Sequence, residues 1–270
     1  MNQMKKAFEF LTLIFAVLAI LSCNTDASPA EQGISTNTPL EKKATDASSP
    51  SEFTSDTIAP SKDKLTGRFD YTKDKDFVKV ADEYCTKPSY MHKEAYAKFV
   101  EMHKAAKKEG VTLKVISGTR NFNEQCGIWN RKWEKYIAQK DSIETMKTIL
   151  TYSSMPSTSR HHWGTDIDIN CLENSYFESG KGLKEYKWLC ENAAKYGFCQ
   201  VYTSKKDSKR TGYEMEKWHW SYLPVATINL QAYNKLITYA DVKGFKGAHL
   251  ANKVKAKEHY VNGIDSLCIK

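Results

Sequence analysis

Between Met91 and Glu109 the apolar side chains Ala95, Phe99, Met102 and Ala106 recur at three- and four-residue spacing, and Gly110 follows. That pattern predicts a helix buried along one face and stopped at the glycine. Val111 to Ile116 alternates instead and is rich in β-branched residues, which predicts a strand ending at Ser117-Gly118. A polar loop, Thr119 to Asn123, leads into a second helix from about Glu124 to Ala138, with Ile128, Trp129, Trp133, Tyr136 and Ile137 as its apolar contacts. A shorter helix is expected from Ile143 to Leu150, and Pro156 makes Ser153 to Ser159 a loop.

Gly164 to Asn170 sets Thr165, Ile167 and Ile169 against Asp166, Asp168 and Asn170 with a period of two, so a strand is expected with one buried face and one carrying carboxylates. Gly182 to Tyr196 suits a helix with Leu183, Tyr186, Leu189 and Ala193 inward and Gly197 as its stop. A strand over Phe198–Tyr202, an exposed hairpin loop over Ser204–Thr211, a returning strand over Lys217–Tyr222 and a helix over Ala226–Tyr239 follow. Lys243 to Lys270 shows little pattern beyond a short helix near Ala251–Tyr260, and no internal repeat is visible. Helices and strands in this order predict an α+β domain in which an antiparallel sheet carries the site and helices pack upon it.

The first 64 residues read differently. Lys5 and Lys6 precede an uncharged run, Leu11 to Leu21, that ends at Ser22-Cys23. The run is too short for a comfortable permanent span, and a small residue before a cysteine resembles a lipoprotein processing site. Residues 1–23 are therefore expected to be a signal peptide and its lipobox, with a lipid on Cys23 holding an exported chain to the membrane of the cell envelope, facing the wall. Residues 24–64 have too few large apolar side chains to order themselves and predict a flexible tether, leaving 65–270 as the catalytic domain. Cys85, Cys126, Cys171, Cys190, Cys199 and Cys268 form an even set in an exported chain, which predicts disulfides without choosing their pairing. The formal charge of +8 favours anionic wall polymers or lipid headgroups as neighbours; without a basic stripe interleaved with aromatics, nucleic acid is not expected. A monomer is expected.

Three stretches carry candidate chemistry: Ser159-Arg-His161-His162-Trp-Gly164-Thr-Asp166-Ile-Asp168, Glu216-Lys-Trp-His219, and Ser117-Gly-Thr-Arg120. Hydrolytic zinc needs three protein ligands of borderline softness and an open position, and two imidazoles with one carboxylate meet that need. His161, Asp168 and His219 are the natural set; the Ser-x-His-x-x-Gly spacing favours His161 over His162. Glu216 would take the proton of the attacking water, which requires a turn or bulge before His219, because an offset of three on a strand points two side chains apart. Arg120 would supply fixed positive charge for a developing oxyanion or a substrate carboxylate.

From about Val115 to Tyr222 the chain resembles the VanY-like D-alanyl-D-alanine carboxypeptidases, within the larger group of zinc peptidases that includes lysostaphin and the hedgehog signalling domain. The resemblance is carried by Ser159 to Asp168, by Glu216 to His219, by Ser117 to Arg120 with Gln125, by Trp188 to Phe198, and by Thr211-Gly212-Tyr213. It implies the same metal set, Glu216 as base, and Arg120, Gln125, Ser159 and Tyr213 near substrate. Two positions depart from the pattern. Asp166 stands where a small alanine is usual, so it could support a ligand, compete as one or mark a bulge, and Lys217 replaces a common proline. The function implied is removal of the terminal residue from peptidoglycan stem peptides, by a D,D- or L,D-carboxypeptidase. The alternatives are an endopeptidase, or a wall-binding module without turnover, against which Glu216 and Arg120 both weigh.

Overall fold

The computed structural model describes residues 59–269. The predicted leader, Cys23 and the tether as far as residue 58 lie outside them. The last residues assigned to the tether instead open α1 (Lys62–Thr66), whose first turn is capped by Ser61 and whose Leu65 is buried. A two-stranded antiparallel ribbon, β1 (Phe77–Lys79) and β2 (Tyr90–His92), comes next, and nothing in the hydrophobic pattern marks it. Then α2 (Lys93–Lys108) buries Ala95, Phe99, Met102 and Ala106, as their spacing predicts. β3 is only Val115–Ser117. Val111 and Leu113 before it are buried, but there the side chain of Asn170 takes the place of a strand partner, accepting from Lys114 N and donating to Thr112 O.

α3 (Phe122–Ile137) starts earlier than predicted because Asn121 and Glu124 form a capping box. α4 (Ser142–Ile149) is capped by Asp141. β4 (Asp166–Ile169), α5 (Gly180–Asn192), β5 (Phe198–Gln200), α6 (Lys205–Ser208), β6 (His219–Tyr222) and α7 (Leu223–Leu236) complete the regular elements. The stretch expected as an exposed hairpin loop is not free. It forms α6 and then buries Arg210, whose guanidinium donates to the carbonyls of Thr203 and Tyr213.

The main sheet has the order β3-β4-β6-β5 with every neighbouring pair antiparallel, so the domain is α+β as predicted. On one face, Val115, Ile167, Ile169, Trp220 and Tyr222 join Phe99, Met102, Trp188 and Leu189 in a core beneath α2 and α5. The alternate residues, Asp166, Asp168, His219 and Ser221, turn to the other face. That face is covered too, and all four residues of β4 are buried, so its carboxylates do not look onto solvent as the alternation alone suggests. A second core joins Trp129, Trp133 and Met146 to Tyr233, Leu250, Val261 and Ile264. The poorly patterned tail thus supplies core side chains, and a Cys199–Cys268 disulfide fastens its end to β5. Among the described residues Cys85, Cys126, Cys171 and Cys190 are free.

Candidate functional site

The register of β4 against β6 sets Asp168 opposite His219 and Asp166 opposite Ser221. Directly opposed residues share a face at close range, so pairing alone brings a carboxylate and an imidazole together. His161 arrives from a 3-10 turn, Arg160–Trp163, which ends at Gly164 with φ of 68°. A Cβ on Gly164 would lie 2.5 Å from the Phe77 ring and 2.8 Å from the backbone nitrogen of His92, so the turn can enter β4 only as glycine. His161 Nε2 lies 3.5 Å from Asp168 Oδ2, and His219 Nδ1 lies 3.2 Å from Asp168 Oδ1. One donor atom from each of His161, Asp168 and His219 falls within 4.8 Å of the other two. Glu216 precedes β6 in a turn spanned by a His219 N to Glu216 O hydrogen bond, and this turn brings Glu216 Oε2 to 3.4 Å from His219 Nδ1.

Each imidazole is aimed by what holds its other nitrogen. His161 Nδ1 is 2.8 Å from the Gly118 carbonyl oxygen, which can only accept, so Nδ1 carries the proton and Nε2 offers a lone pair. Gly118 is needed there, since a Cβ would come within 2.4 Å of Tyr90 O. His219 Nε2 is 2.9 Å from Asp166 Oδ2, which leaves Nδ1 toward Asp168 and Glu216. His162 is different: its Nε2 accepts from Ser157 N at 3.1 Å, so its Nδ1 donates to Arg120 O at 2.7 Å, and neither nitrogen is free. Burial pushes its imidazolium down to about pKa 3, consistent with a neutral ring committed to structure.

Asp166 accepts from Arg160 Nε at 2.8 Å, Ser221 Oγ at 2.7 Å, Thr165 Oγ1 at 3.0 Å and His219. Burial opposes its ionisation, but Arg160, His219 and Ser221 outweigh it and hold the carboxyl well below the usual range. Of the readings left open by its departure from the alanine pattern, the geometry selects support of a ring from behind. Glu216 shifts the other way: burial lifts its carboxyl above its ordinary value, with His219 partly offsetting.

These groups floor a cleft of about 580 Å³, walled by Arg120, Gln125, Ile128 and Lys132 on one side and by Leu172–Ser175, Tyr202, Tyr213 and Trp218 on others. Arg120 Nε, Gln125 Oε1, His161 Nε2, Asp168 Oδ1 and Tyr213 Oη are buried polar atoms without a hydrogen-bond partner. Such atoms are rare in folded proteins, and their concentration around one cleft marks a place built for something else to bind. Ser159 is also buried with an unpaired Oγ, but it does not line the cleft. Lys132, which donates to Ser153 Oγ, and Asn174 are wall residues that the motifs do not single out. Helical spacing from Gln125 through Ile128 puts Lys132 on the same face of α3; Asn174 has no comparable signal.

The residues fit a divalent cation. His161 Nε2 and an oxygen of Asp168 are unpaired, His219 turns Nδ1 to the same point, and the donor set of two imidazoles and a carboxylate is the kind that holds hydrolytic zinc. Asp166, Asp168 and Glu216 together raise His219 well above its ordinary pKa in spite of burial, so the pocket draws positive charge to that point.

Comparison with known proteins agrees with the motifs. YodJ of Bacillus subtilis is 32% identical over 136 residues, covering 50% of this chain and 46% of the relative. A D-alanyl-D-alanine carboxypeptidase of Enterococcus faecalis is 31% identical over 126 residues, covering 46% and 45%. The chain thus spans a little under half the length of these curated relatives. A solved structure of VanYB in complex with D-alanine-D-alanine is 26% identical, with a TM-score of 0.45 over 57% of this chain and 83% of that one. The family model for VanY, D-alanyl-D-alanine carboxypeptidase, matches residues 88–225, just over half of the sequence and all of the residues that meet at the cleft floor, and the chain belongs to that family.

Proposed function

We propose that this chain is a zinc-dependent carboxypeptidase of the bacterial cell envelope that removes the terminal residue from peptidoglycan stem peptides ending in D-alanine. The observation that carries the reading is the convergence of His161, Asp168 and His219 with Glu216 beside them, on the floor of a cleft whose walls hold unanswered polar atoms. His161 Nε2, His219 Nδ1 and an oxygen of Asp168 would hold the ion. Bound there, zinc supplies Lewis acidity, polarising a carbonyl and making water acidic near neutral pH. Glu216 accepts the proton of the attacking water and returns it to the departing amine, a task its place beside His219 suits. Arg120 faces the oxygen on which charge develops, or the terminal carboxylate. Gln125 Oε1 accepts from a substrate N–H, and Tyr213 Oη donates to a substrate oxygen. Family membership and the sequence motifs support the substrate class.

Digestion of defined tetra- and pentapeptide stems, read by mass, tests the reading. Release of a single free amino acid, lost in Glu216→Ala, is expected and separates D,D from L,D cleavage by which stem is shortened. Larger fragments would mean an endopeptidase, and binding without any turnover by the zinc-supplied protein would overturn catalysis altogether. Anchoring through Cys23 belongs to the same reading; Cys23→Ala is expected to move the protein from the membrane to the soluble fraction of a cell lysate.

A further inference from the structure

Glu216 lies outside the regular strands, on a strap from Met215 to Trp218 that joins the Tyr213 loop to β6. A backbone so placed must find its hydrogen bonds from elsewhere, and several of them come from side chains and strands around it. Glu216 N donates to Tyr202 O at 2.9 Å, and Ile169 N on β4 donates to Trp218 O at 2.9 Å. Gln200 Nε2 donates to Glu216 O at 3.1 Å, while Gln200 Oε1 accepts from Tyr186 Oη at 2.8 Å. Two further contacts come from one side chain of the neighbouring cleft wall. Asn174 Nδ2 donates to Met215 O at 2.7 Å, and Asn174 Oδ1 accepts from Lys217 N at 3.0 Å.

An asparagine amide that gives and takes a hydrogen bond in this way pairs with the strap as a neighbouring strand would. It touches the residue before Glu216 and the residue after it, and Glu216 itself is left free for chemistry. A Lys217 Nζ to Glu178 Oε1 ion pair at 3.2 Å joins the same two segments a turn further on. From this geometry we infer that Asn174 is a positioning residue for Glu216, fixing the strap so that the carboxylate stays 3.4 Å from His219 Nδ1. The inference rests on the proposed role of Glu216 as base. Because Leu172 to Ser175 also form one wall of the cleft, the clamp makes the wall that meets substrate and the strap that carries the base move as one piece.

The test is Asn174→Ala in the full chain with zinc supplied, beside wild type, Glu216→Ala and the double variant. Displacing a reacting group by about 1 Å can lower a rate by about 100-fold, so Asn174→Ala is expected to lower kcat between about 10- and 100-fold with KM within about twofold. Zinc content is expected to be unchanged, and the Lys217 amide is expected to exchange with solvent faster even in metal-free protein. In the Glu216→Ala background the same substitution is expected to change the residual rate less than about twofold, because the group it positions is gone. Asn174→Asp, which keeps the acceptor for Lys217 N but loses the donor to Met215 O, is expected to fall between. A kcat within twofold of wild type, a kcat loss matched by equal loss of zinc, or an undiminished penalty in the Glu216→Ala background would each overturn the clamp. Inactivity of wild type itself would instead overturn the carboxypeptidase reading.

Discussion

Behind His219 the carboxylate of Asp166 is ringed by Arg160, Thr165 and Ser221, and both of its oxygens are taken, whereas in front of the same ring Asp168, Arg120, Gln125 and Tyr213 hold polar atoms that no protein group answers. Asp166 and Asp168 are two residues apart on one strand, face the same way and are both nearly inaccessible. Burial therefore cannot tell them apart; partners can. A buried carboxylate with both oxygens taken builds structure, and unpaired polar atoms gathered around one cleft are held ready for a ligand, since leaving them unmade has a free-energy cost the fold would otherwise avoid. The same rule separates the adjacent histidines, with His162 tied at both nitrogens and His161 at one.

Substitutions that strike the open side first should show the largest effect on turnover with the smallest on folding. Glu216→Gln is expected to lower kcat by about 10²- to 10⁴-fold, the usual weight of a general base, while zinc content measured by metal analysis is unchanged. Chelation should abolish activity and added zinc restore it. Arg120→Ala is expected to lower kcat by about 10²- to 10³-fold, the range found for a lost oxyanion donor, and steady-state kinetics on a D-alanine-terminated peptide would check it. Unchanged kcat with raised KM would move Arg120 from the reacting oxygen to the terminal carboxylate.

Breaking the closed side should reverse the balance. Asp166→Ala strips Arg160, whose side chain is 1% exposed, of its counter-charge, and removing one partner of such a buried pair costs about 3–5 kcal/mol. It also frees His219 Nε2, and losing the group behind a metal-binding histidine weakens metal affinity by about 10- to 100-fold. Denaturant melts and zinc competition with a chelator would read the two effects separately. A stable variant with unaltered zinc affinity would show that Asp166 does not orient the ring.

How much of this was legible in the sequence follows the same division. The floor of the cleft was readable because short motifs carry it: a strand with period two fixes which face Asp168 takes, and a turn before His219 was required by the offset of three. The α2 and α3 helices were readable because an apolar face repeats. What the sequence hid depends on distant partners. Arg160 and Asp166 stand in one motif with opposite charges, yet only the pairing of β4 with β6 shows that Ser221 completes their set. Asn174 reaches a segment more than 40 residues away and leaves no local mark. Leu250 and Val261 enter the core from a 3-10 turn, Ala248–Leu250, and a single π-helical turn, Lys257–Val261, each too short to repeat an apolar face, and β1 and β2 are too brief to register.

Tyr213 offers the finest discrimination between the two sides. It is 2% exposed, its ring stacks edge-on with Tyr202 and Tyr260, and its hydroxyl is unpaired and held protonated by burial. Were the hydroxyl structural, Tyr213→Phe would lose a hydrogen bond and about 0.5–1.5 kcal/mol of stability. Because no well-formed hydrogen bond holds it within the protein, removing it should leave the melting temperature unchanged or slightly raised. A substrate oxygen that the hydroxyl would meet loses a donor, so KM should rise by about 2- to 10-fold, the same 0.5–1.5 kcal/mol now charged to binding. Melts and KM values measured on one preparation compare the two directly, and a variant that lost stability while keeping its KM would place Tyr213 with Asp166 among the groups that build the site.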